Sequence, residues 1–391
     1  MERNRQLVSR RGVLIGTAAA ALAAGTLAAC STGESQATND YEFDVVVIGA
    51  GASGLGAARD LVDAGRKIMV VEARDRVCGR MFTDRTSMPV PIELGCEFIH
   101  GTTASTWDLV KKFNLKTHFS ARHISRTELG GPWELTDQSG IQGEAKNFQV
   151  VGGYNKILVP LSENVPLQLN TVVGRIEHSA SGVVVHAVQQ GRAVTYRARY
   201  AIVTVPVAVL AANAIEFSPA LPADKVEAFK AVPQSPTTKV LWQFDHPVLP
   251  EDADWVREAG MSDWTYMWRA APELPDFKGQ VVGTAADQEE AVRLLALPRE
   301  RRHAEFLELV RGVVGDPKLE PVNVVEHEWA KDPFARAALT DSELVTEQMS
   351  EAVFRPVSGS LYWAGVITDQ VDYSRDSGKQ VAAELLARLP R

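Results

Sequence analysis

The fold is decided by Phe43-Asp44-Val45-Val46-Val47-Ile48 and by the stretch that follows it directly, Gly49-Ala50-Gly51-Ala52-Ser53-Gly54. The first six residues are mostly apolar and β-branched, which favours a buried parallel strand. Residues 55–64 have helical composition, and residues 67–71 are a second apolar run that predicts another strand. This order of strand, glycine-rich turn, helix and strand is typical of a βαβ unit in an α/β protein.

The glycine-rich turn predicts a dinucleotide site. Gly49 permits a tight turn, Gly51 lets the backbone approach a pyrophosphate, and Gly54 lets the helix pack close to the strand. The helix N-terminus, near Ser53, offers free N–H groups and a positive partial charge to phosphates. Glu72 ends the second strand, where a carboxylate can accept hydrogen bonds from ribose hydroxyls. A lone glycine motif is weak evidence, but this strand–turn–helix–strand frame makes it strong.

Composition limits the classes of partner. The chain has 391 residues, which indicates two or three domains, and a hydrophobic fraction of 45% that suffices for a large core. The net charge is −8, and without the first thirty residues the chain has 37 basic and 48 acidic side chains. Because phosphate binding needs clustered Lys and Arg, this balance argues against a nucleic-acid partner. It is compatible with a cationic substrate.

The first thirty residues have the features of an export signal. Arg10-Arg11 precedes a modestly apolar run, Gly12–Ala29, as in twin-arginine signals. Leu27-Ala28-Ala29-Cys30 resembles a bacterial lipoprotein cleavage site. We therefore expect an exported protein, periplasmic or at the cell surface, attached to the membrane through lipidated Cys30, with residues 31–41 as a linker. A transmembrane anchor is the alternative, although the apolar run is marginal in length.

Two cysteines remain, Cys78 and Cys96. An oxidising compartment permits a disulfide between them, but spacing alone does not establish the required geometry. No Cys/His cluster has the spacing of metal ligands, so we expect no metal site.

Residues 72–81, Glu-Ala-Arg-Asp-Arg-Val-Cys-Gly-Arg-Met, resemble the E-A-R-x-R-x-G-G-R stretch of the flavin amine oxidases and their relatives. The resemblance implies FAD as the cofactor. Some members of the family attach it covalently, but no cysteine lies near the C-terminal turn of this sequence, so we expect non-covalent binding. It places Arg80 at the pyrophosphate, where a guanidinium suits phosphate oxygens, and Arg74 near the adenosine. Gly79 is the second glycine of the family pair, whereas Cys78 replaces the first. For the arginines, a solvated charged loop is the alternative.

A second match is Ile92-Glu93-Leu94-Gly95-Cys96-Glu97-Phe98-Ile99-His100-Gly101, which resembles the family's E-L-G-x-x-x-x-H-G segment. In the family this segment passes beside the isoalloxazine, which implies that Gly95, Glu97 and Phe98 bind the cofactor. The resemblance also places His100 in the substrate space, where it could position or deprotonate an amine. The alternative is a histidine hydrogen-bonded within a structural turn.

Further matches concern the residues that hold the adenine and the ribityl chain of the cofactor. Val173 occupies the place of a family valine that binds the adenine side through its backbone. Leu361-Tyr362-Trp363-Ala364-Gly365 resembles the strand and turn that hold the ribityl chain. The resemblance assigns cofactor contacts to Gly365 and to Val366, although the family usually has Glu at the latter position. Ser377–Leu386 resembles the family's C-terminal helix.

Lys239 lies in Thr237–Phe244, whose alternation predicts a strand. The family carries a lysine here that holds a water near the flavin's reactive nitrogen, which implies a catalytic role in oxygen reduction or proton transfer. A surface lysine on a strand is the alternative. Trp329-Ala330-Lys331-Asp332-Pro333-Phe334 resembles the family's W-x-x-D-P-F segment, which leads into the substrate cavity.

Two segments are shorter than in familiar members of the family. Between Gly101 and Gly152 we predict a single helix, Thr103–Phe113, followed by loop-like sequence. Between the Gly365 turn and the C-terminal helix, Ile367–Asp376 contains no glycine. We therefore expect a substrate cavity that is open, shallow or completed by another chain.

The resemblance runs from about Tyr41 to the end of the chain and implies an α/β fold with two domains. A Rossmann-like FAD-binding domain would comprise residues 42–100, 151–235 and 355–391. A smaller α+β substrate domain would comprise residues 101–150 and 236–354. Within it, composition predicts helices over Glu289–Leu295 and Arg299–Val314 and a strand over Pro321–Glu328.

Three functions remain open. The first is an FAD-dependent amine oxidase, with a small-molecule amine as substrate, O2 as acceptor, and an imine and hydrogen peroxide as products. The second is a related flavin oxidase or desaturase that acts on a non-amine substrate. The third is an FAD-binding module without oxidase activity, which the two shortened segments would explain. The sequence does not indicate an oligomeric state.

Overall fold

A computed structural model describes residues 41–128, 131–138, 146–250, 253–272 and 277–390. The expected export signal, Cys30 and nearly all of the linker lie outside these residues. No helix in the described ranges is both long and apolar enough to cross a membrane.

Eight α-helices occur in the described parts of the chain, the longest at its C-terminal end. In chain order they are α1 Ala52–Asp63, α2 Trp107–Lys112, α3 Val207–Ala211, α4 Ala223–Ala231, α5 Gln288–Leu295, α6 Arg299–Val314, α7 Glu347–Phe354 and α8 Val371–Arg388.

The same residues form twenty-two strands, several of them only two residues long. The first eleven are β1 Phe43–Ile48, β2 Ile68–Val71, β3 Thr83–Asp84, β4 Ile92–Glu93, β5 Phe98–His100, β6 Thr117–Phe119, β7 Arg122–Ser125, β8 Glu134–Asp137, β9 Asn147–Val150, β10 Leu167–Gln168 and β11 Thr171–Ser179. The others are β12 Gly182–Gln189, β13 Arg192–Val203, β14 Glu216–Ser218, β15 Gln234–Ser235, β16 Thr237–Phe244, β17 Trp255–Arg257, β18 Thr265–Ala270, β19 Gln280–Asp287, β20 Asn323–Glu326, β21 Leu339–Thr340 and β22 Leu361–Trp363.

The larger sheet has the order β10-β2-β1-β13-β12-β11-β14, with β22 paired to β13. Strand β1 lies parallel to both β2 and β13, and β22 is parallel to β13. Val45, Val46 and Val47 of β1 are fully buried, as expected for a strand covered on both faces. The predicted α/β fold and its first βαβ unit are confirmed.

The second sheet has the order β20-β16-β19-β18-β17-β7-β8 and is antiparallel except where β17 meets β7. Lys239 lies in β16, between the neighbouring strands β19 and β20. Helices α5 and α6 contribute Ala291, Leu294 and Phe306 to the apolar core on one face of this sheet. The opposite face is free to line a cavity.

The strands of the two sheets fall into the two predicted sets of segments. All strands of the larger sheet lie in residues 42–100, 151–235 and 355–391, and those of the second sheet lie in 101–150 and 236–354. Contacts nevertheless join Asp40–Arg391 into one compact unit, so the two-domain division stays a prediction.

Several predicted elements have different bounds, and three of these differences have a physical cause. Helix α2 begins at Trp107 rather than at Thr103, since Ser and Thr before it favour turns and caps over helix interiors. Strand β20 omits Pro321, which has no N–H for a ladder. Helix α8 begins six residues before the predicted Ser377, and it crosses α1 where a Cβ on Gly378 would lie 2.0 Å from Ser53 O.

Candidate active site

A cavity of about 300 Å³ lies at the carboxyl ends of β1, β2 and β13. Ligands of open parallel sheets bind at this edge. We call it the nucleotide cavity. Of the residues predicted to bind the cofactor, the following line it: Gly49, Gly51, Ser53, Glu72, Arg74, Gly79, Arg80, Val173 and Gly365.

The three turn glycines have the expected separate roles. Gly49 has a φ of +104°, a conformation that L side chains rarely adopt. A Cβ on Gly54 would lie 1.9 Å from Gly49 O, so this position requires glycine for packing, although it does not line the cavity. A Cβ on Gly51 would meet nothing within 4 Å, because this residue faces the open cavity.

Glu72 is buried at the end of β2 and holds the turn in place. One carboxylate oxygen accepts from the backbone N–H of Ala50 at 2.7 Å, and the other accepts from that of Arg74 at 2.9 Å. Burial raises the pKa of the Glu72 carboxyl, and these two hydrogen bonds act in the opposite direction. Each oxygen has further lone pairs, so hydrogen bonds from ribose hydroxyls are compatible with this arrangement.

The two predicted arginines are placed differently. Arg74 makes a two-pronged ion pair with Asp332, at 2.7 and 2.9 Å, and its guanidinium lies over the ring of Phe334. Its nitrogens therefore hold the 329–334 segment against the wall of the nucleotide cavity, and its predicted place near the adenosine stays a prediction. Arg80 donates to Ala338 O at 2.9 Å and lines the nucleotide cavity as well as a second cavity.

Both cysteines are free thiols at the wall of the nucleotide cavity. Cys78 is buried with a φ of +76°, the conformation that the family's glycine would adopt without strain. Burial raises the pKa of the Cys78 thiol to about 12, so it is not a reactive thiolate. Cys96 lines both cavities. Non-covalent attachment of FAD stays a prediction.

The turn after β22 differs in part from expectation. Gly365 has a φ of +66° and donates its N–H to Ser377 Oγ at 2.9 Å. Val366 is fully buried in the core, and its carbonyl accepts from Val207 N. Val366 lines neither the nucleotide cavity nor the second cavity, and burial of its apolar side chain stabilises the core, so its predicted contact with the cofactor stays a prediction.

The nucleotide cavity has the chemistry that a dinucleotide requires. The hydroxyl of Ser53 is buried without a hydrogen-bond partner in the described parts of the chain. It lies in the first turn of α1, whose free N–H groups attract phosphate. The space beside Gly51 allows close approach of a ligand to the backbone. These residues fit the pyrophosphate of FAD.

A second cavity of about 300 Å³ adjoins the first, and we call it the lysine cavity. It is bounded by one face of β16, β18 and β19 and by the segment around β5. The two cavities share several lining residues, namely Arg80, Cys96, Ala338, Leu339, Asp369, Gln370 and Val371. A cofactor that extends along the nucleotide cavity would therefore end at the lysine cavity.

Lys239 points into the wall between the sheet and the β5 segment. Its ammonium donates to Glu93 O at 3.1 Å, to Gly95 O at 2.8 Å and to Glu97 Oε2 at 2.9 Å. An ammonium has three N–H groups, so all three are engaged by the protein. The alternative of a surface lysine is excluded, and a water bound by Lys239 would have to replace one of these contacts.

Glu97 is the counter-ion of Lys239, a role that the sequence did not predict. Its side chain is only 4% exposed, and its other oxygen accepts from Trp268 Nε1 at 2.9 Å and from Gln149 Nε2 at 2.7 Å. Every oxygen of this buried carboxylate is thus satisfied. Glu97 lines the lysine cavity together with Gly95 and Phe98.

His100 lies at the exposed rim of the lysine cavity. Its Nδ1 is 2.8 Å from Asn147 Oδ1, on the neighbouring strand β9. Because an amide oxygen only accepts, Nδ1 donates in this hydrogen bond, and in a neutral imidazole Nε2 then carries the lone pair. The structure thus brings His100, Lys239 and Glu97 to one cavity.

Aromatic side chains that the sequence did not single out line the rest of this cavity. Trp255 lies 5.5 Å from Trp268 and 5.3 Å from Phe98, measured between ring centroids. Tyr266 and Trp329 complete the set. Trp255 is paired with Trp268 in the register of β17 and β18, but both strands are too short to predict that pairing from spacing alone.

The fold and the two adjoining cavities define a class of protein, one that binds a dinucleotide cofactor and presents its far end to a side-chain-lined cavity. Residues 52–130 and 127–386 match the family described as flavin containing amine oxidoreductase. The chain therefore belongs to the flavin-containing amine oxidoreductase family, and FAD is its cofactor.

Individual relatives agree with this family. A putative flavin-containing monoamine oxidase of Mycobacterium tuberculosis is 25% identical, over 89% of this chain and 98% of its own length. The probable polyamine oxidase 4 of Arabidopsis thaliana is 23% identical over 55% of this chain and 61% of its own.

Solved structures of the same fold include putrescine oxidase bound to putrescine, with a TM-score of 0.73 and 19% identity, over 88% of this chain and 99% of the other. Cyclohexylamine oxidase from Brevibacterium oxydans has a TM-score of 0.72 at 19% identity, over 89% of this chain and 100% of the other. At this identity the likeness establishes the fold alone.

Proposed function

We propose that this chain oxidises an amine with bound FAD and passes the electrons to dioxygen. The observation that carries the proposal is the shared wall of the two cavities, which brings His100, Lys239 and an aromatic lining to the end of the nucleotide cavity. Bound FAD supplies the redox chemistry by accepting hydride from the carbon beside the amine nitrogen, after which dioxygen takes up the electrons as hydrogen peroxide. The imine left behind hydrolyses in water.

The protein's own residues prepare the amine for this step. An ammonium group must lose a proton before its carbon can release hydride, and His100 Nε2 has a lone pair at the cavity rim. Trp255 and Trp268 exclude water and offer aromatic faces to a cation. Lys239, held by Glu97, keeps a fixed positive charge beside the shared wall. Such a charge stabilises negative charge that develops during oxygen reduction.

Anaerobic reduction of the flavin-loaded protein tests this proposal. Adding a panel of mono-, di- and polyamines without oxygen should bleach the flavin absorbance, and admitting air should restore it and release peroxide. His100→Ala should slow the reduction by about 10²-fold or more while the flavin remains bound. Asp263→Asn, an exposed carboxylate on a loop, is the matched control and should leave the rate unchanged.

Other outcomes favour the two remaining candidates. If no amine bleaches the flavin but a non-amine reductant of similar size does, the chain acts on a different substrate class. If the protein is yellow and nothing in the panel turns over, it is a binding module. One observation favours the binding module: all three N–H groups of the Lys239 ammonium are already engaged by the protein.

We also propose that the protein is exported and attached to a membrane through lipidated Cys30. The support is the sequence of the first thirty residues alone. Expression of the full chain in a bacterial host should place the protein in the membrane fraction. Cys30→Ser should move it to the soluble fraction, and an unchanged distribution would contradict lipidation at this residue.

A further inference from the structure

Residues 332–339 run along one wall of the nucleotide cavity, and we call them the strap. Five residues of the strap line this cavity, namely Pro333, Phe334, Arg336, Ala338 and Leu339. At its start, Asp332 is ion-paired with Arg74 at 2.7 Å, and near its end Ala338 O accepts from Arg80 at 2.9 Å. The strap is therefore held at two points to the segment that follows β2.

Arg336 lies in the middle of the strap in the left-handed backbone conformation, with a φ of +60°. Its N–H donates to Asp332 O at 2.8 Å, so Arg336 ends one helical turn at the position where glycine is most common. Among the described non-glycine residues with a positive φ, Arg336 alone has a charged side chain. Such backbone outliers cluster at ligand-binding sites, so this one indicates a role for the side chain.

The guanidinium of Arg336 has no counter-ion among the residues that the structure describes. Three arginines line the nucleotide cavity, namely Arg74, Arg80 and Arg336. Arg74 is paired with Asp332, and Arg80 interacts electrostatically with Asp369, which lines the same cavity. The side chain of Arg336 makes no ion pair or hydrogen bond with any described residue. It is exposed beside the cavity and is available to a ligand there.

The position of Arg336 indicates which part of the cofactor it can meet. It lines the nucleotide cavity but not the lysine cavity, whereas Arg80 lines both. Arg336 is thus placed for the nucleotide part of FAD rather than for the flavin ring. The diphosphate carries the negative charge of FAD, and the planar N–H fork of a guanidinium matches two phosphate oxygens.

We propose that Arg336 binds the diphosphate of FAD as a second guanidinium beside Arg80. The strap would then hold the cofactor through a side chain, in addition to the backbone N–H groups of the glycine-rich turn. This contact also accounts for an arginine at a position that favours glycine. The proposal rests on FAD as the cofactor and does not depend on which substrate enters the lysine cavity.

Release of FAD from the loaded protein tests this contact. Flavin fluorescence that rises after dilution gives the dissociation rate. Arg336→Met should speed release about fivefold, the upper value for one exposed ion pair, and should make the rate less dependent on salt. Arg336→Lys should recover part of the loss, because it keeps the charge without the fork. Arg192→Met is the matched control, since Arg192 is exposed on β13 and lines neither cavity.

Arg336→Gly separates the side chain from the backbone. Glycine adopts a φ of +60° without strain, so this variant should fold as the wild type does. It should nevertheless release FAD as fast as Arg336→Met. Release at the wild-type rate from the glycine variant would overturn the proposal, because the arginine side chain would then contribute nothing to binding.

Phosphorus NMR of the loaded protein measures the same contact even if FAD does not dissociate. Arg336→Met and Arg336→Gly should each shift a resonance of the FAD diphosphate, and Arg192→Met should shift neither resonance. Diphosphate resonances that are the same in the wild type and in both Arg336 variants would overturn the proposal.

Discussion

The nucleotide cavity and the lysine cavity each have a volume of about 300 Å³, but backbone forms most of the first and side chains form most of the second. The first is made largely of backbone, with glycines at the turn and helix α1 directed at the ligand. The second is made of long side chains from separate strands, held by one buried ion pair. The backbone of the first has no room for a Cβ at Gly54, whereas the second depends on which side chains are paired.

The two cavities therefore depend on the sequence in different ways. A turn that binds phosphate through N–H groups is specified by a few glycines. A side-chain cavity can change its ligand preference by single substitutions. The chain accordingly keeps Gly49, Gly51 and Gly54 while Glu97 and Asp287 give the other cavity its particular charges.

The largest effect should follow from a single methyl group at the turn. Gly54→Ala would place a Cβ 1.9 Å from Gly49 O, a backbone atom that cannot move without displacing β1. We expect a loss of about 3 kcal/mol or more in the free energy of unfolding, at the upper end of overpacking costs, and little bound flavin. Urea unfolding and the flavin content of the purified protein measure both.

The control for this change is Gly312→Ala. Gly312 lies inside helix α6, and a Cβ there would meet no atom within 4 Å. We expect unchanged flavin content and a gain of up to about 1 kcal/mol, because alanine is the better helix former. If Gly54→Ala were as benign as this control, the backbone account of the nucleotide cavity would be wrong.

The next largest effect should follow from breaking the ion pair between Lys239 and Glu97 in the lysine cavity. Lys239→Met would leave Glu97 buried with only two neutral donors, Trp268 and Gln149. We expect a loss of about 3 kcal/mol in the free energy of unfolding, since removing one partner leaves an uncompensated charge. Adding Glu97→Gln should recover part of that loss in a double-mutant cycle.

An exposed pair provides the comparison for that cycle. Arg257 and Asp263 are ion-paired at the surface, and the Asp263 side chain is 92% exposed. Their cycle should give less than about 1 kcal/mol. A coupling between Lys239 and Glu97 no larger than this would show that the pair does not hold the cavity together.

A smaller effect should appear in the pH dependence of stability. Glu93 accepts from Tyr154 N at 2.6 Å and from Thr83 Oγ1 at 2.9 Å, and burial raises the pKa of its carboxyl from 4.5 to about 7. Between these values the folded protein binds more protons than the unfolded chain. The free energy of unfolding should therefore fall as the pH rises through this window, by about 2 kcal/mol after allowance for partial exposure.

Glu93→Gln should remove this fall, since an amide does not titrate. Glu134→Gln is the matched control, because Glu134 is exposed on β8 and should leave the slope as it is. Urea unfolding at several pH values between 4.5 and 8 measures the effect. A wild-type protein whose stability rises over the same window would contradict the buried, protonated state of Glu93.

The fold and the nucleotide cavity could be predicted from the sequence because their determinants are local. The strand Phe43–Ile48 was predicted with its observed ends, and so was Thr237–Phe244, since periodicity and short motifs report on neighbouring residues. The ion pair between Arg74 and Asp332 joins residues that are 258 positions apart, and no local sequence pattern indicates it. The same holds for Lys239 and Glu97, which are 142 positions apart.

The central claim is that FAD runs along the nucleotide cavity and presents its flavin ring at the wall shared with the lysine cavity. A crystal structure of the flavin-loaded protein tests this most directly. We predict the pyrophosphate beside Gly51 and Ser53, and the ring beside Cys96 and Gln370, open to the cavity of Lys239 and Asp287. A ring that ends away from this wall, or FAD bound at another site, would contradict the account.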